Sequence, residues 1–175
     1  MSFARFCADL ASERLRTVAA HWSAAKGDRR MPAWGNIDPV MLGSQLPIVW
    51  SWRYDAASDR FVGRLAGEEI NQVLGRSLRG APMEAVFIGS QYERLFEKYK
   101  RIVSGPSVMR QRGCVFRLAG RLGFGEKILL PLSADGVRVD GVFGAAAYRP
   151  WSNGSAEHAL NGEGIAEELV FQTLD

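Results

Sequence analysis

The strongest constraint on the fold comes from the second half of the chain, where three segments alternate between apolar and polar residues. They are Ser107–Leu118, Lys127–Leu132 and Val137–Tyr148. This alternation predicts strands with one buried face. Asp135-Gly136, between the last two segments, favours a tight hairpin turn. Strands joined by hairpins pair antiparallel, so these residues predict part of an antiparallel sheet.

The middle of the chain adds two more strands and the helices that would cover them. The predicted strands are Ile48–Tyr54 and Arg60–Ala66, and the predicted helical segments are Glu68–Leu74, Met83–Phe87 and Gln91–Val103. Apolar residues recur every three or four positions in the last of these, which is typical of an amphipathic helix. The chain is therefore predicted to be an α+β domain, with a five-stranded antiparallel sheet covered on one face by short helices.

Residues 3–22 predict one N-terminal amphipathic helix, whose apolar stripe is formed by Phe3, Phe6, Leu10, Val18 and Trp22. The stripe must pack either on the sheet of its own chain or on a second molecule. We expect these five residues to form a dimer or partner interface. The resulting organisation is an N-terminal helix over residues 1–30, a central domain over 31–150 and an acidic C-terminal tail over 151–175.

Composition narrows the class of protein. A length of 175 residues suits a single domain. The two cysteines, Cys7 and Cys114, are too few for a disulfide framework and favour a reducing compartment. The first residues lack the continuous apolar region of a secretory signal, and the longest weakly polar run is too short to span a bilayer. We therefore expect a cytoplasmic protein without membrane association.

Basic residues are concentrated in one part of the chain. Residues 94–121 contain eight basic residues and one acidic residue, whereas residues 151–175 contain five acidic residues and no lysine or arginine. The predicted anion or partner face consists of Arg94, Lys98, Arg101, Arg110 and Arg112. It could bind an anionic ligand or an acidic protein. The alternative is a solvated surface that the acidic tail partly neutralises. Without a helix-turn-helix pattern, nucleic-acid binding is not expected.

The sequence contains few residues suited to catalysis or metal binding. The two histidines, His21 and His158, are far apart in the sequence, and no spacing typical of a zinc site is present. Cys114 is predicted to be a buried apolar residue rather than a nucleophile. The glycines of residues 120–125 lie between predicted strands with no helix after them, which favours a flexible loop over a phosphate-binding one. We expect no metal and no catalytic activity.

Several stretches resemble a family of small bacterial single-domain PAS proteins. They are Trp22, residues 27–32, Ile37-Asp38-Pro39, Leu46-Pro47, Arg60–Gly67, Leu74–Gly80 and Ile128–Gly136. Their order and spacing are similar to the family over roughly residues 18–150. Trp34 departs from the pattern, because the resemblance leads us to expect a basic residue there.

The resemblance implies a sensory or regulatory domain whose ligand, if it has one, lies between the helices and the sheet. The aromatic residues expected to face that space are Phe87, Tyr92, Phe96, Tyr99, Phe116 and Phe143. Arg64 and Arg76 are the polar residues expected near it. The resemblance also implies a homodimer. The sequence specifies no cofactor, because it lacks both the flavin-adduct cysteine motif and a histidine in residues 67–103.

Three functions remain open from the sequence. The first is a stand-alone sensory module that binds a small ligand or a protein partner and signals through protein–protein interaction. The second is a ligand-free adaptor with a filled core. The third is a small, cone-shaped α+β enzyme of the nuclear transport factor type, which would require a paired carboxylate and histidine in its cavity.

Overall fold

The structure is a computed structural model that describes residues 2–118, 121–150 and 167–174. Its helices are α1 (Phe3–Ala8), α2 (Glu13–Lys26), α3 (Pro39–Leu42), α4 (Glu68–Leu74), α5 (Met83–Val86) and α6 (Gly89–Ser104). Its strands are β1 (Val49–Asp55), β2 (Arg60–Ala66), β3 (Ser107–Leu118), β4 (Arg121–Leu132), β5 (Gly141–Pro150) and β6 (Glu168–Thr173). None of the helices in these described ranges is both long and apolar enough to cross a lipid bilayer.

The strands form one antiparallel sheet in the order β2-β1-β5-β4-β3-β6. The first five strands confirm the predicted sheet. The sixth corrects it, because residues 168–173 belong to the sheet rather than to an acidic tail. Glu168 of β6 lies opposite Arg112 of β3, and this pairing of opposite charges supports the register. Residues 151–166 and Asp175 of the predicted tail, including His158, lie outside the described residues.

The sheet is covered on both faces, and the alternation of strand residues decides which side chain enters which layer. In β4, Ile128, Leu130 and Leu132 pack against the N-terminal helices, as their shared face predicted. The intervening Leu129 packs on the opposite face, with α4–α6. We call these the N-terminal face and the cavity face. Neighbouring residues of one strand therefore serve two separate cores.

The single helix predicted over residues 3–22 is in fact two helices, α1 and α2, separated by a short turn. Ser12 caps α2, its side chain accepting a hydrogen bond from the Leu15 N–H at 3.5 Å. Trp22 Nε1 donates to the carbonyl of Pro131 at 2.9 Å, which ties α2 to the end of β4. Both helices thus lie on the sheet of their own chain.

This packing corrects the predicted interface. Phe6, Leu10, Val18 and Trp22 are at most 2% exposed, and Phe3 packs on the same core. The stripe fills the N-terminal face because the sheet itself presents an apolar surface there. These side chains are not available to a second molecule unless the core opens.

A buried carboxylate fixes the turn between α1 and α2. Glu126 of β4 accepts hydrogen bonds from the backbone N–H groups of Ala11 and Ser12, at 3.2 and 3.0 Å. It also pairs with Arg112, whose Nε lies 2.9 Å from Glu126 Oε1. Arg112 donates in turn to the carbonyl of Asp9. The buried carboxylate of Glu126 therefore has two backbone donors and one arginine as partners among the described residues.

Two strand boundaries differ from the prediction. Residues 121–125, predicted as a loop from their glycines, belong to β4. A side chain at Gly123 would overlap the ring of Phe116, and one at Gly125 would overlap the backbone of β5, so these glycines permit close packing. The predicted hairpin between β4 and β5 is confirmed, but the tight turn at Asp135-Gly136 is not, because β4 ends at Leu132 and β5 starts only at Gly141, which leaves a loop over residues 133–140. Gly136 takes the left-handed conformation there, with φ of 76°.

The role of Glu126 in docking the N-terminal helices can be tested with Glu126→Gln. The amide cannot accept from two backbone N–H groups and pair with Arg112 together, so we expect a loss of roughly 2–4 kcal/mol in the free energy of unfolding. Urea denaturation measures this change. Glu97→Gln, at an exposed position of α6, should change stability by less than about 0.5 kcal/mol. Equal effects of the two variants would contradict this role.

Candidate ligand-binding cavity

A cavity of about 510 Å³ lies on the cavity face, between the sheet and helices α4 and α6. Its volume is within the range of small-molecule sites. At the start of α6 it is lined by Ser90, Gln91 and Arg94, which are at least partly exposed to solvent. Most of the remaining wall is contributed by strands β1, β3, β4 and β5. The cavity thus occupies the space that the sequence predicted for a ligand.

The loop between α4 and α5 is anchored to the edge strand β2, and this anchoring places part of the cavity wall. The N–H of Gly63 donates to the carbonyl of Ala81 at 2.9 Å, and the N–H of Gly80 donates to the carbonyl of Gly63 at 2.8 Å. A side chain at Gly63 would overlap the backbone of Leu78. Because glycine permits this approach, Leu78 reaches the cavity wall.

One end of the cavity is lined by aromatic and aliphatic side chains. Trp50 and Trp52 of β1 line it together with apolar residues of α4 and the following loops: Ile70, Val73, Leu74, Leu78 and Phe87. Trp50 Nε1 donates to the Tyr99 hydroxyl at 2.7 Å, so the indole has a buried polar partner. Burial raises the pKa of Tyr99, which keeps the phenol neutral.

The other end is polar, and Lys127 of β4 lies at its base. The residue is only 6% exposed, and its Nζ donates to the carbonyl of Val115 at 3.0 Å. Burial and the nearby charge of Lys98 lower the pKa of Lys127 to about 7. The buried amine therefore loses its proton far more easily than the amine of an exposed lysine. In the part of the chain that the structure describes, Lys127 has no ion-pair partner.

Lys98 and Gln111 form the side wall of the polar end. Lys98 Nζ donates to Gln111 Oε1 at 3.3 Å, and burial lowers the pKa of this lysine. The amide of Gln111 donates to the carbonyl of Cys114 at 2.6 Å and to Glu167 at 3.2 Å. Arg117 also lines this end. The cluster concentrates positive charge in a partly enclosed space, which is suited to binding an anion.

Three of the predicted pocket residues, Phe87, Tyr99 and Phe116, line the cavity. Tyr92 and Phe96 pack on the cavity-face core without lining the cavity. Phe143 was misplaced, because the alternation of β5 turns it to the N-terminal face. The placement of Phe143 follows from strand register, which composition alone does not determine, whereas Tyr92 and Phe96 belong to helix α6.

The two predicted pocket arginines lie outside the cavity. Arg64 is exposed on β2, and its guanidinium stacks over Trp34 at 4.8 Å from the ring centroid. Arg76 is also exposed and donates to the carbonyl of Ala85 at 2.9 Å. Trp34 occupies the position where a basic residue was expected. Its Nε1 donates to Asp140 at 2.7 Å, so it closes the N-terminal face instead.

The predicted basic face is divided among three places. Arg94 and Lys98 line the cavity, whereas the guanidinium of Arg101 stacks over Phe171 at 3.9 Å from the ring centroid. Arg110 and Arg112 lie on the opposite face of β3, where both pair with Glu168. The expectation of one continuous face was wrong, because the alternate residues of a strand point to opposite sides.

The sequence analysis missed Lys127, Gln111 and the two tryptophans of β1. A lysine that follows the alternation of a largely apolar strand is a detectable signal, since the pattern places Lys127 on the same side as Leu129. Cys114 was expected to be buried, and it is, at the cavity wall, with its pKa raised by burial. His21 lies elsewhere, on α2. No cluster of three or more metal-binding side chains occurs within the described ranges.

A family model for the PAS domain matches residues 10–147. The chain belongs to the PAS domain family. This match and the strand order show that the alternative of a cone-shaped enzyme fold was wrong. PAS domains are sensory and regulatory modules. No curated protein and no solved structure matches the sequence significantly.

The buried amine of Lys127 should affect how the free energy of unfolding of this PAS domain depends on pH. The pKa of Lys127 is about 7 in the folded protein, against 10.5 for a free lysine. Folding is therefore destabilised by the full cost of burying the charged amine below about pH 7, and this cost falls to zero as the pH rises to 10.5. Lys127→Met should therefore be more stable than the wild type at pH 7. Above pH 7, the difference in free energy of unfolding between the variant and the wild type should narrow by about 1 kcal/mol per pH unit. Urea denaturation across this range measures it.

Arg53→Met is the matched control, because it removes a positive charge from an exposed position of β1. This variant should follow the wild-type pH dependence, because it leaves the buried amine of Lys127 in place. A constant difference between the wild type and Lys127→Met at all pH values would show that the amine of Lys127 is not perturbed by burial.

Proposed function

We propose that this PAS domain is a non-catalytic sensor that binds a small molecule in its cavity and signals through protein–protein contact. The observation that supports the proposal most is the combination of an open cavity with a buried lysine at its base. A ligand-free adaptor would be more stable if apolar side chains filled this space, because a buried amine without a counter-ion is costly. The cavity therefore favours the ligand-binding alternative.

Helix α6 is the element best placed to change position when a ligand occupies the cavity. Its inner face contributes Arg94, Lys98 and Tyr99 to the cavity, while Glu93 and Glu97 are exposed on its outer face. Arg101 near its end stacks on Phe171 of β6. A ligand that engages the inner face would shift the helix relative to the sheet. The outer surface and the contact with β6 would change with it.

The cysteines support the proposed cytoplasmic location. Both are free thiols. Cys7 packs against the core of the N-terminal face, whereas Cys114 lines the cavity on the other side of the sheet. Because the sheet separates them, they cannot form an intramolecular disulfide. A reducing compartment suits this arrangement.

Ligand binding can be tested by native mass spectrometry of the purified protein, followed by ligand-observed NMR with a fragment library. We expect a discrete added mass or a set of bound fragments. Leu95→Trp enlarges a side chain of the cavity wall and should abolish binding, whereas Leu65→Trp, at a residue 42% exposed on β2, should not. If fragments bind equally to both variants, the cavity is not the site.

The homodimer stays a proposal, with its contact moved away from the buried N-terminal stripe. Val40 and Met41 are neighbouring apolar residues of α3 that are 84% and 70% exposed. They offer a surface for a second copy. Met41→Ser should shift a dimer toward monomer in sedimentation velocity, whereas Val137→Ser, at a residue 73% exposed in the turn before β5, should not. A wild-type protein that is monomeric at all concentrations would contradict the homodimer.

A further inference from the structure

We propose that the cavity selects a small organic anion with an apolar or aromatic body, whose anionic group is bound by Lys127 and Lys98. This inference rests on the proposed ligand-binding function and adds the chemistry of the ligand to it. It is carried by the distribution of polar and apolar groups along the cavity and by the incomplete hydrogen bonding of Lys127.

The sheet order separates the two chemical ends of the cavity. Strand β5 lies between β1 and β4, so Trp50 and Trp52 of β1 stand two strands away from Lys127 of β4. Gln111 of β3 lies directly opposite Lys127 and extends the polar end. A ligand that fills the cavity would therefore present an apolar surface toward β1 and a polar group toward Lys127 and Gln111, while Val115 and Phe116 of β3 add apolar wall beside the polar end.

The basic side chains at the polar end of the cavity indicate that the polar group of the ligand carries a negative charge. Among the residues that the structure describes, four basic side chains line the cavity: Arg94, Lys98, Arg117 and Lys127. Among the described lining residues, the one carboxylate is that of Glu167, which is exposed and accepts a hydrogen bond from Gln111. A cationic or neutral ligand would supply no counter-charge to the buried amine. An anionic group would compensate it.

Lys127 has unused capacity to bind such a group. A protonated lysine carries three N–H donors, and the described residues accept from one of them, through the carbonyl of Val115. The Nζ of Lys98 makes one long hydrogen bond of 3.3 Å to Gln111. Oxygens of a carboxylate, phosphate or sulfonate between the two amines would receive charge-assisted hydrogen bonds from both.

When an anion binds, Lys127 should take up a proton from solution. The charged or titratable groups that face Lys127 are Lys98 from α6, Cys114 and Arg117 from β3, and Glu167 before β6. Burial and Lys98 hold the pKa of Lys127 near 7, against the opposing effects of Glu167 and Cys114. An anionic ligand would raise it further. Affinity should therefore be highest below pH 7 and fall as the solution becomes more basic.

The test compares two fluorescent probes of similar shape, the anionic anilinonaphthalene sulfonate and the neutral phenylnaphthylamine. We expect the full chain to bind the sulfonate about tenfold or more tightly than the neutral probe at pH 6–7, as a charge-assisted hydrogen bond predicts. The preference should shrink toward about pH 9, where Lys127 is neutral. Leu95→Trp should reduce the binding of both probes.

The matched variants assign the preference to the buried amine. Lys127→Met should lower the affinity for the sulfonate by about tenfold or more and leave that for the neutral probe unchanged. Arg53→Met, which removes a charge outside the cavity, should leave both affinities unchanged. Cooperative unfolding of each variant confirms that the probes report on folded protein.

Each remaining outcome overturns a distinct claim. If the neutral probe binds as tightly as the sulfonate, or if Lys127→Met keeps the preference, the cavity accepts ligands but does not select anions. If neither probe binds and no fragment does, the ligand-binding function fails as well.

Discussion

The buried carboxylate of Glu126 holds the N-terminal helices on the sheet, and the next residue of the same strand determines the character of the cavity. Glu126 reaches the turn between α1 and α2 and pairs with Arg112. Lys127 points to the opposite side and ends at the cavity base. A slip of one residue in β4 would exchange the two and bury an unpaired charge in each layer. The register of β4 is therefore a constraint on both the structure and the site.

The two buried charges differ in how far the protein compensates them. Glu126 has two backbone donors and an arginine, so it contributes to the stability of the docked helices. Among the described residues Lys127 donates to one carbonyl, that of Val115, and burial lowers the pKa of its amine. Destabilising buried charges are retained mainly at functional sites, where perturbed pKa values cluster. The contrast separates a structural ion pair from a candidate binding group.

Much of the fold could be predicted from periodicity, and the errors came from long-range contacts. Alternation identified β2 and β3, and the Gly-bounded pattern located α4 at Glu68–Leu74. The sixth strand was missed because its short segment follows a stretch rich in acidic residues, and it becomes a strand only by pairing with β3. The break between α1 and α2 was missed because its partner, Glu126, lies more than a hundred residues away in sequence.

The same division holds for the site. The amphipathic pattern of α6 placed Tyr99 toward the sheet, and its basic residues included Arg94 and Lys98, which the cavity contains. Residue type and local spacing by themselves thus determined the antiparallel sheet, the covering helices and the basic character of the region. Only the tertiary structure decided which charges share one space, because strand alternation and register send Lys127 and Gln111 to the cavity and Arg110, Arg112 and Phe143 to the other face. Sequence carries periodicity along one element, whereas a binding site is made by side chains that different elements bring together.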